Sequence, residues 1–162
     1  MAELQAAPEI AGDNAAAVTF SIEKIYVKDL SLESPGAPQS FLTQESPQIE
    51  VGLRTRGEQV QPDMYECVLT VTITARVGDK TLFLVEAAQG GLFTIKGVPQ
   101  DQLQPVLAIH CPTVLFPYVR ETLADSVGRA GFPPVQLAPI NFEALFQQQL
   151  AQAQAGGPKA AN

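Results

Sequence analysis

The chain has 162 residues, 46% of them hydrophobic, which is enough for one core and argues for a single domain with polar ends. Ten Lys plus Arg stand against 17 Asp plus Glu, a net charge of −7 spread along the chain. An acidic surface without basic clusters disfavours a nucleic-acid backbone and points to a polypeptide partner carrying positive charge.

Residues 1–17 show no sustained apolar periodicity and are expected to form a disordered arm. They have neither a basic start nor a continuous apolar segment, so no secretory signal is expected there, and no apolar run approaches the ~20 residues that cross a bilayer. The cytoplasm is the expected compartment, without direct membrane insertion. Cys67 and Cys111 then read as free, buried thiols.

Val18, Phe20 and Ile22 alternate with polar residues before Ile25 and Val27 take the opposite parity. This predicts a first strand reaching Glu33, with a bulge near Glu23-Lys24. Ser34-Pro35-Gly36-Ala37-Pro38 ends it, and an irregular crossover carrying Phe41-Leu42 runs to Pro47. Ile49, Val51 and Leu53 share one face of a second strand. Tyr65, Cys67, Leu69, Val71 and Ile73 share a face of the third, with Thr70, Thr72 and Thr74 on its other side.

Val77-Gly78-Asp79-Lys80 predicts a hairpin into a fourth strand. There Phe83, Val85 and Ala87 line one face and Leu82 and Leu84 the other. A strand apolar on both faces, in a chain with few helices, suggests cover by another subunit or a ligand protein, with burial inside the monomer as the alternative. Gly90-Gly91 reads as a bend or bulge.

Helix is expected around Gln102 to Ile109 and again from about Pro117 to Val127, with Pro112 and Pro117 interrupting it. The proline-bracketed rings of Cys111 to Arg120, with Phe132 and Phe142 beyond, suggest apolar recognition rather than bond-breaking. Asn141 can cap a last helix with Phe142, Leu145, Phe146 and Leu150 on one stripe. Residues 151–162 are expected to be a flexible tail.

Catalytic constellations are missing. His110 beside Cys111 lacks the further His or Cys spacing of a zinc site, and no nucleophile elbow, phosphate loop or dinucleotide fingerprint occurs. No metal, cofactor or enzymatic activity is therefore expected. Asp29 and Glu33, four residues apart in a strand, point to one face, which by itself reads as a solvated sheet surface.

Four blocks carry a resemblance. They are Phe20 to Pro38 with its Ile25-Tyr26-x-Lys28-Asp29-Leu30-Ser31-Leu32-Glu33 centre, Leu84-x-Glu86-x-x-Gln89-Gly90-Gly91-Leu92-Phe93, Cys111-Pro112-x-x-Leu115-Phe116-Pro117-Tyr118-x-Arg120-Glu121, and Phe132-Pro133-Pro134-x-x-Leu137-x-Pro139-Ile140-Asn141-Phe142. Together, over residues 18–150, they resemble the SecB protein-export chaperones.

The resemblance implies an α+β fold, a four-stranded antiparallel sheet with two main helices packed on one face, assembled as a dimer of dimers. It implies an ATP-independent holdase that keeps unfolded precursor proteins competent for translocation and delivers them to the SecA motor. A relative recruited to toxin–antitoxin control is the nearest alternative, and a small enzyme using scattered carboxylates a more distant one. By the same resemblance Asp29, Glu33, Leu84 and Glu86 contact the basic, zinc-carrying end of SecA. Phe83, Val85, Ala87 and Gln89 belong to the subunit interface. Phe41, Phe116, Tyr118, Phe142 and Phe146 line a client groove. The crossover departs from the family pattern, with Glu45-Ser46-Pro47 where relatives carry an aromatic just ahead of a proline.

Overall fold

Strict alternation from Tyr65 to Ala75 sorts one strand into a buried row and a row of Glu66, Val68 and threonines, and the whole fold is arranged around those two faces. In the computed structural model, which describes residues 17–156, four antiparallel strands form one sheet. They are β1 (Thr19–Glu33), β2 (Gln48–Gln61), β3 (Met64–Val77) and β4 (Lys80–Lys96), in the order β1-β4-β3-β2. β1 and β2 are therefore the two edges, and the 34–47 crossover links opposite sides of the sheet. The expected arm falls almost wholly outside the described residues, as does the end of the tail.

The predicted irregularity in β1 is present, where pairing with β4 shifts between Ile22 and Lys24. A second shift lies between Val27 and Asp29. Each extra residue reverses the parity of the strand. The two together keep Phe20, Ile22, Ile25, Val27, Leu30 and Leu32 on one face and Tyr26, Asp29, Ser31 and Glu33 on the other. The β3–β4 turn falls at Gly78, with φ of 56°, as its sequence suggests. Asp63, φ 62°, turns β2 into β3, a left-handed position that Asp tolerates better than most side chains.

The helical region corrects the sequence expectation. Gln100–Pro105 (α1), a π turn Val106–His110 and Cys111–Arg129 (α2) follow one another without a break, and the residues at their junctions keep right-handed helical dihedrals. Proline normally ends a helix because its ring meets the carbonyl four residues back and its nitrogen carries no hydrogen. For Pro112 that carbonyl lies in the π turn, where the widened backbone makes room. The Cys111 amide donates to the Val106 carbonyl in the π pattern. Pro112 has no hydrogen to give the next carbonyl, Leu107, and the Cys67 Sγ donates to it instead, at 3.7 Å. Thus a thiol of β3 completes the ladder that a proline of α2 leaves open.

α2 lays Cys111, Leu115, Phe116, Val119, Leu123 and Val127 over the central strands β3 and β4. The proline-bracketed aromatic run is consequently the buried side of a helix, with Thr113, Pro117 and Tyr118 exposed. A proline-rich connector leads to α3 (Phe142–Ala155), where the Asn141 Oδ1 accepts from the Ala144 amide at 2.9 Å. α3 extends to Ala155, past the expected onset of the flexible tail, because its Gln and Ala residues are good helix formers.

Candidate functional site

All helices lie on one face of the sheet, so the other is left open, and the register decides which side chains meet there. Asp29 stands opposite Ala88, Ser31 opposite Glu86, and Glu33 opposite Leu84. Asp29, Glu33, Leu84 and Glu86 therefore form one contiguous patch across β1 and β4. Asp29, Glu33 and Leu84 are exposed and Glu86 is half-buried. Asp29 and Glu33 make no ion pair among the described residues, whereas both Glu86 oxygens are engaged. Thr72 Oγ1 donates to Oε2 at 2.6 Å, and Arg54 Nη2 lies 3.7 Å from Oε1.

Next to this patch sits a second polar cluster that the sequence reading missed. Glu66, with a side chain only 13% exposed, accepts from the Tyr26 hydroxyl and from Lys28 Nζ at 2.6 Å, and Arg56 Nη2 approaches to 3.6 Å. Burial alone would raise the Glu66 pKa, but the bonds from Lys28 and Tyr26 and the nearby cations outweigh it and hold the carboxyl below its ordinary value. Burial and the same carboxylate push the Tyr26 phenol up to about 12. The hydroxyl end of the Tyr26 ring sits over Gly90, in the place that an added Cβ would take. The row of Thr70, Thr72 and Thr74 marked this face, but only the pairing of all four strands brings Lys28, Glu66 and Arg56 together.

The helix face corrects another expectation. Phe83, Val85, Ala87 and Gln89 are at most 3% exposed, covered by the helical layer of the same chain, with Phe132 of the connector after α2 packed on Phe83. Gln89 Nε2 donates to the Tyr26 carbonyl at 3.0 Å, and its Oε1 lies 3.5 Å from Thr122 Oγ1, whose hydrogen has a closer acceptor in the Tyr118 carbonyl at 3.0 Å. These four residues are interior, so no second subunit is needed to bury them. Alternation marked this row for cover, while Leu84 on the other face is exposed, and periodicity does not say which element supplies the cover.

Of the five aromatic residues assigned to a client groove, Phe116, Phe142 and Phe146 come together, and Phe41 and Tyr118 stand apart from them. Phe116 and Phe142 are buried against each other, edge to face with centroids 6.2 Å apart. Phe146 is half-buried beside Leu53 and Phe142. Tyr118 is exposed on the outer side of α2. Phe41 is exposed and packs on Phe132, which in turn packs on Phe83, each pair with centroids 5.0 Å apart. Gly131, φ 92°, permits the close approach of Phe41, since a Cβ there would meet the ring at 3.0 Å.

Around this stack lie apolar residues that were not singled out for a groove. Phe83 pairs with Ala75, which pairs with Ile49, and Val85 with Ile73 and then Val51, so Ile49 and Val51 continue the apolar rows outward to the β2 edge. Both are exposed, as is Leu42 in the crossover. At the opposite edge Phe20, Ile22, Val27 and Leu30 form a further exposed apolar strip on β1, beyond the cover of α2. Alternation identified the apolar rows, but the helix is too narrow to cover all four strands, and that width is a tertiary property.

Among the described residues no cluster of His, Cys, Asp and Glu could hold a metal ion, and no helix is long and apolar enough to cross a membrane. The two thiols are buried. A hydrogen bond with Cys67, together with burial, pushes the Cys111 thiol far up, which suits packing rather than nucleophilic chemistry.

Comparison with known proteins agrees with the fold. The family described as preprotein translocase subunit SecB matches residues 13–153. A protein-export protein SecB from Chromobacterium violaceum is 57% identical over 138 residues, covering 85% of this chain and 92% of that protein. One from Dechloromonas aromatica is 55% identical over 139 residues, covering 86% and 91%. Among solved structures, a SecB-like chaperone of Mycobacterium tuberculosis in complex with an antitoxin peptide superposes with a TM-score of 0.60 at 17% identity, over 75% of this chain and 90% of that one. With a matched segment that takes in the entire sheet and nearly all of the helical layer, this chain belongs to the SecB family.

Proposed function

We propose that this chain is an ATP-independent holdase of the cytoplasm, without enzymatic activity, that binds unfolded precursor proteins and passes them to the SecA motor for export. The observation that carries the reading is apolar surface left uncovered at both edges of the helix face, in a chain more than half identical to protein-export proteins of this family. An unfolded chain presents apolar side chains and unpaired backbone. A surface offering apolar rows beside strand edges binds such chains with little sequence discrimination.

The client surface we favour is centred on Phe41, with Leu42, Ile49 and Val51, rather than on the buried Phe116 and Phe142. Tyr118 and Phe146 remain candidates at its margins. The open sheet face, with Asp29, Glu33, Leu84 and Glu86, is the proposed SecA contact, since exposed carboxylates around an exposed leucine suit a basic partner. The β1 strip is the proposed interface of a homotetramer, with a second copy covering Phe20, Ile22, Val27 and Leu30.

The test is direct. Purified protein in several-fold excess should slow the refolding or aggregation of a denatured precursor without nucleotide, and no effect would sink the holdase reading. Charge reversal at Asp29 should weaken SecA binding by calorimetry while sparing the holdase effect. Unchanged binding would remove the acidic face from the SecA contact.

A further inference from the structure

We propose that Arg54 is an internal competitor for Glu86, and that it thereby sets how tightly a basic partner docks on the open sheet face. The inference rests on the reading of that face as the SecA contact and adds a residue to it.

The argument starts from the two oxygens of Glu86. Oε2 is tied to Thr72 Oγ1 on the neighbouring strand, which fixes the rotamer and leaves Oε1 as the oxygen for an incoming cation. Arg54 Nη2 already stands beside that oxygen, at 3.7 Å. Arg54 comes from β2 and reaches diagonally across Thr70 and Thr72 of β3, and Gly52, in the same row as Thr72 and Glu86, puts no side chain of β2 there to compete with it.

The contact is loose. The Arg54 side chain is 71% exposed and that of Glu86 33%, and exposed pairs of this kind are weak and readily exchanged. A partner cation can therefore take the place of Arg54 by a change of rotamer. Arg56, one residue pair further along, is directed to a different carboxylate, Glu66, which Lys28 and Tyr26 also hold. Asp29 and Glu33 have no such competitor among the described residues. Arg54 is thus the cation whose removal bares a docking carboxylate.

Two effects of the same sign follow. Arg54 competes directly for Oε1, and it repels any basic group brought near. Both make docking weaker and more reversible than the carboxylates alone would give, and both fade as salt screens the exposed charges.

The experiment is calorimetric titration of full-length SecA into the wild-type chain, Arg54→Gln, Glu86→Gln and the double variant, at low and high salt. Arg54→Gln is expected to bind about threefold more tightly at low salt, the size usual for one exposed charge pair. In the Glu86→Gln background its gain should fall by at least half, and high salt should shrink it in both. Equal gains in the two backgrounds would mean that Arg54 acts only as a distant charge and would overturn the inference. Weaker binding by Arg54→Gln would show instead that Arg54 contacts an acidic group of the partner, and unchanged binding would show no role; either defeats it. If Glu86→Gln and Asp29 reversal both leave SecA binding intact, the docking face itself is misassigned, a result distinct from failure at Arg54 alone. Thermal unfolding of each variant separates these outcomes from loss of fold.

Discussion

At the scale of single residues, the open face depends on small geometric permissions. Gly90 is one, because the Tyr26 ring occupies the place of its missing Cβ and from there reaches Glu66. Gly90→Val should force the ring away, breaking the Tyr26–Glu66 bond and lowering stability by about 2–3 kcal/mol in denaturant titration. Titration gives a second test. The folded pKa of Tyr26, about 12, lies above its ordinary 10.0, so the unfolded chain loses the proton first as pH rises. The contribution of Tyr26 is thus complete below pH 10 and declines through the window up to about 12; in Tyr26→Phe that part of the alkaline loss of thermal stability should vanish. Glu66 works in the opposite sense. Its lowered folded pKa stabilises above the ordinary carboxylate value, and that contribution disappears as pH falls through the folded pKa.

At the scale of elements, the helical rod shows how a proline-rich sequence stays helical. Pro112 frees a carbonyl inside the fold, and the π turn with the Cys67 thiol absorbs the consequence. Cys67→Ala should therefore cost more than a lost methyl-sized contact, about 1–2 kcal/mol by denaturant titration, since the Leu107 carbonyl loses its donor. The rule that proline stops a helix suggested two short helices. It failed because the rule considers only the backbone of one segment, whereas the donor that rescues this carbonyl comes from a strand 40 residues away. α3 was more legible, for Asn141 and the following stripe are local signals. Asn141→Ala should remove the cap bond to the Ala144 amide and cost about 1 kcal/mol, most of it as fraying at the helix start seen by amide exchange.

At the scale of the whole molecule, the uncovered β1 strip is what the proposed assembly rests on. Phe20, Ile22, Val27 and Leu30 share one face of an edge strand and all are exposed in the single chain. An apolar strip on an edge strand invites pairing or burial by another chain. We expect the native protein to run as a tetramer in light scattering at micromolar concentration. The double variant Ile22→Asp with Leu30→Asp should shift it to smaller species with its far-ultraviolet circular dichroism retained. A monomeric wild type would contradict the interface.

What the sequence determined by itself was whatever depends on near neighbours along the chain. Strand parity in β3, the first bulge of β1, the Gly78 turn and the Asn141 cap are all local chemistry, and the placing of Asp29 with Glu33 and of Leu84 with Glu86 follows from the period of two. The tertiary structure decided what depends on partners distant in sequence. The second β1 shift keeps Asp29 and Glu33 beside Leu84 and Glu86, and the width of the helical layer buries Phe83, Val85, Ala87 and Gln89 while leaving the β1 strip bare. Register across the four strands brings Lys28 and Arg56 to Glu66 and Arg54 to Glu86. The physical reason is that alternation says which side chains need cover and which are free to be charged, and only packing says by what and against which charge.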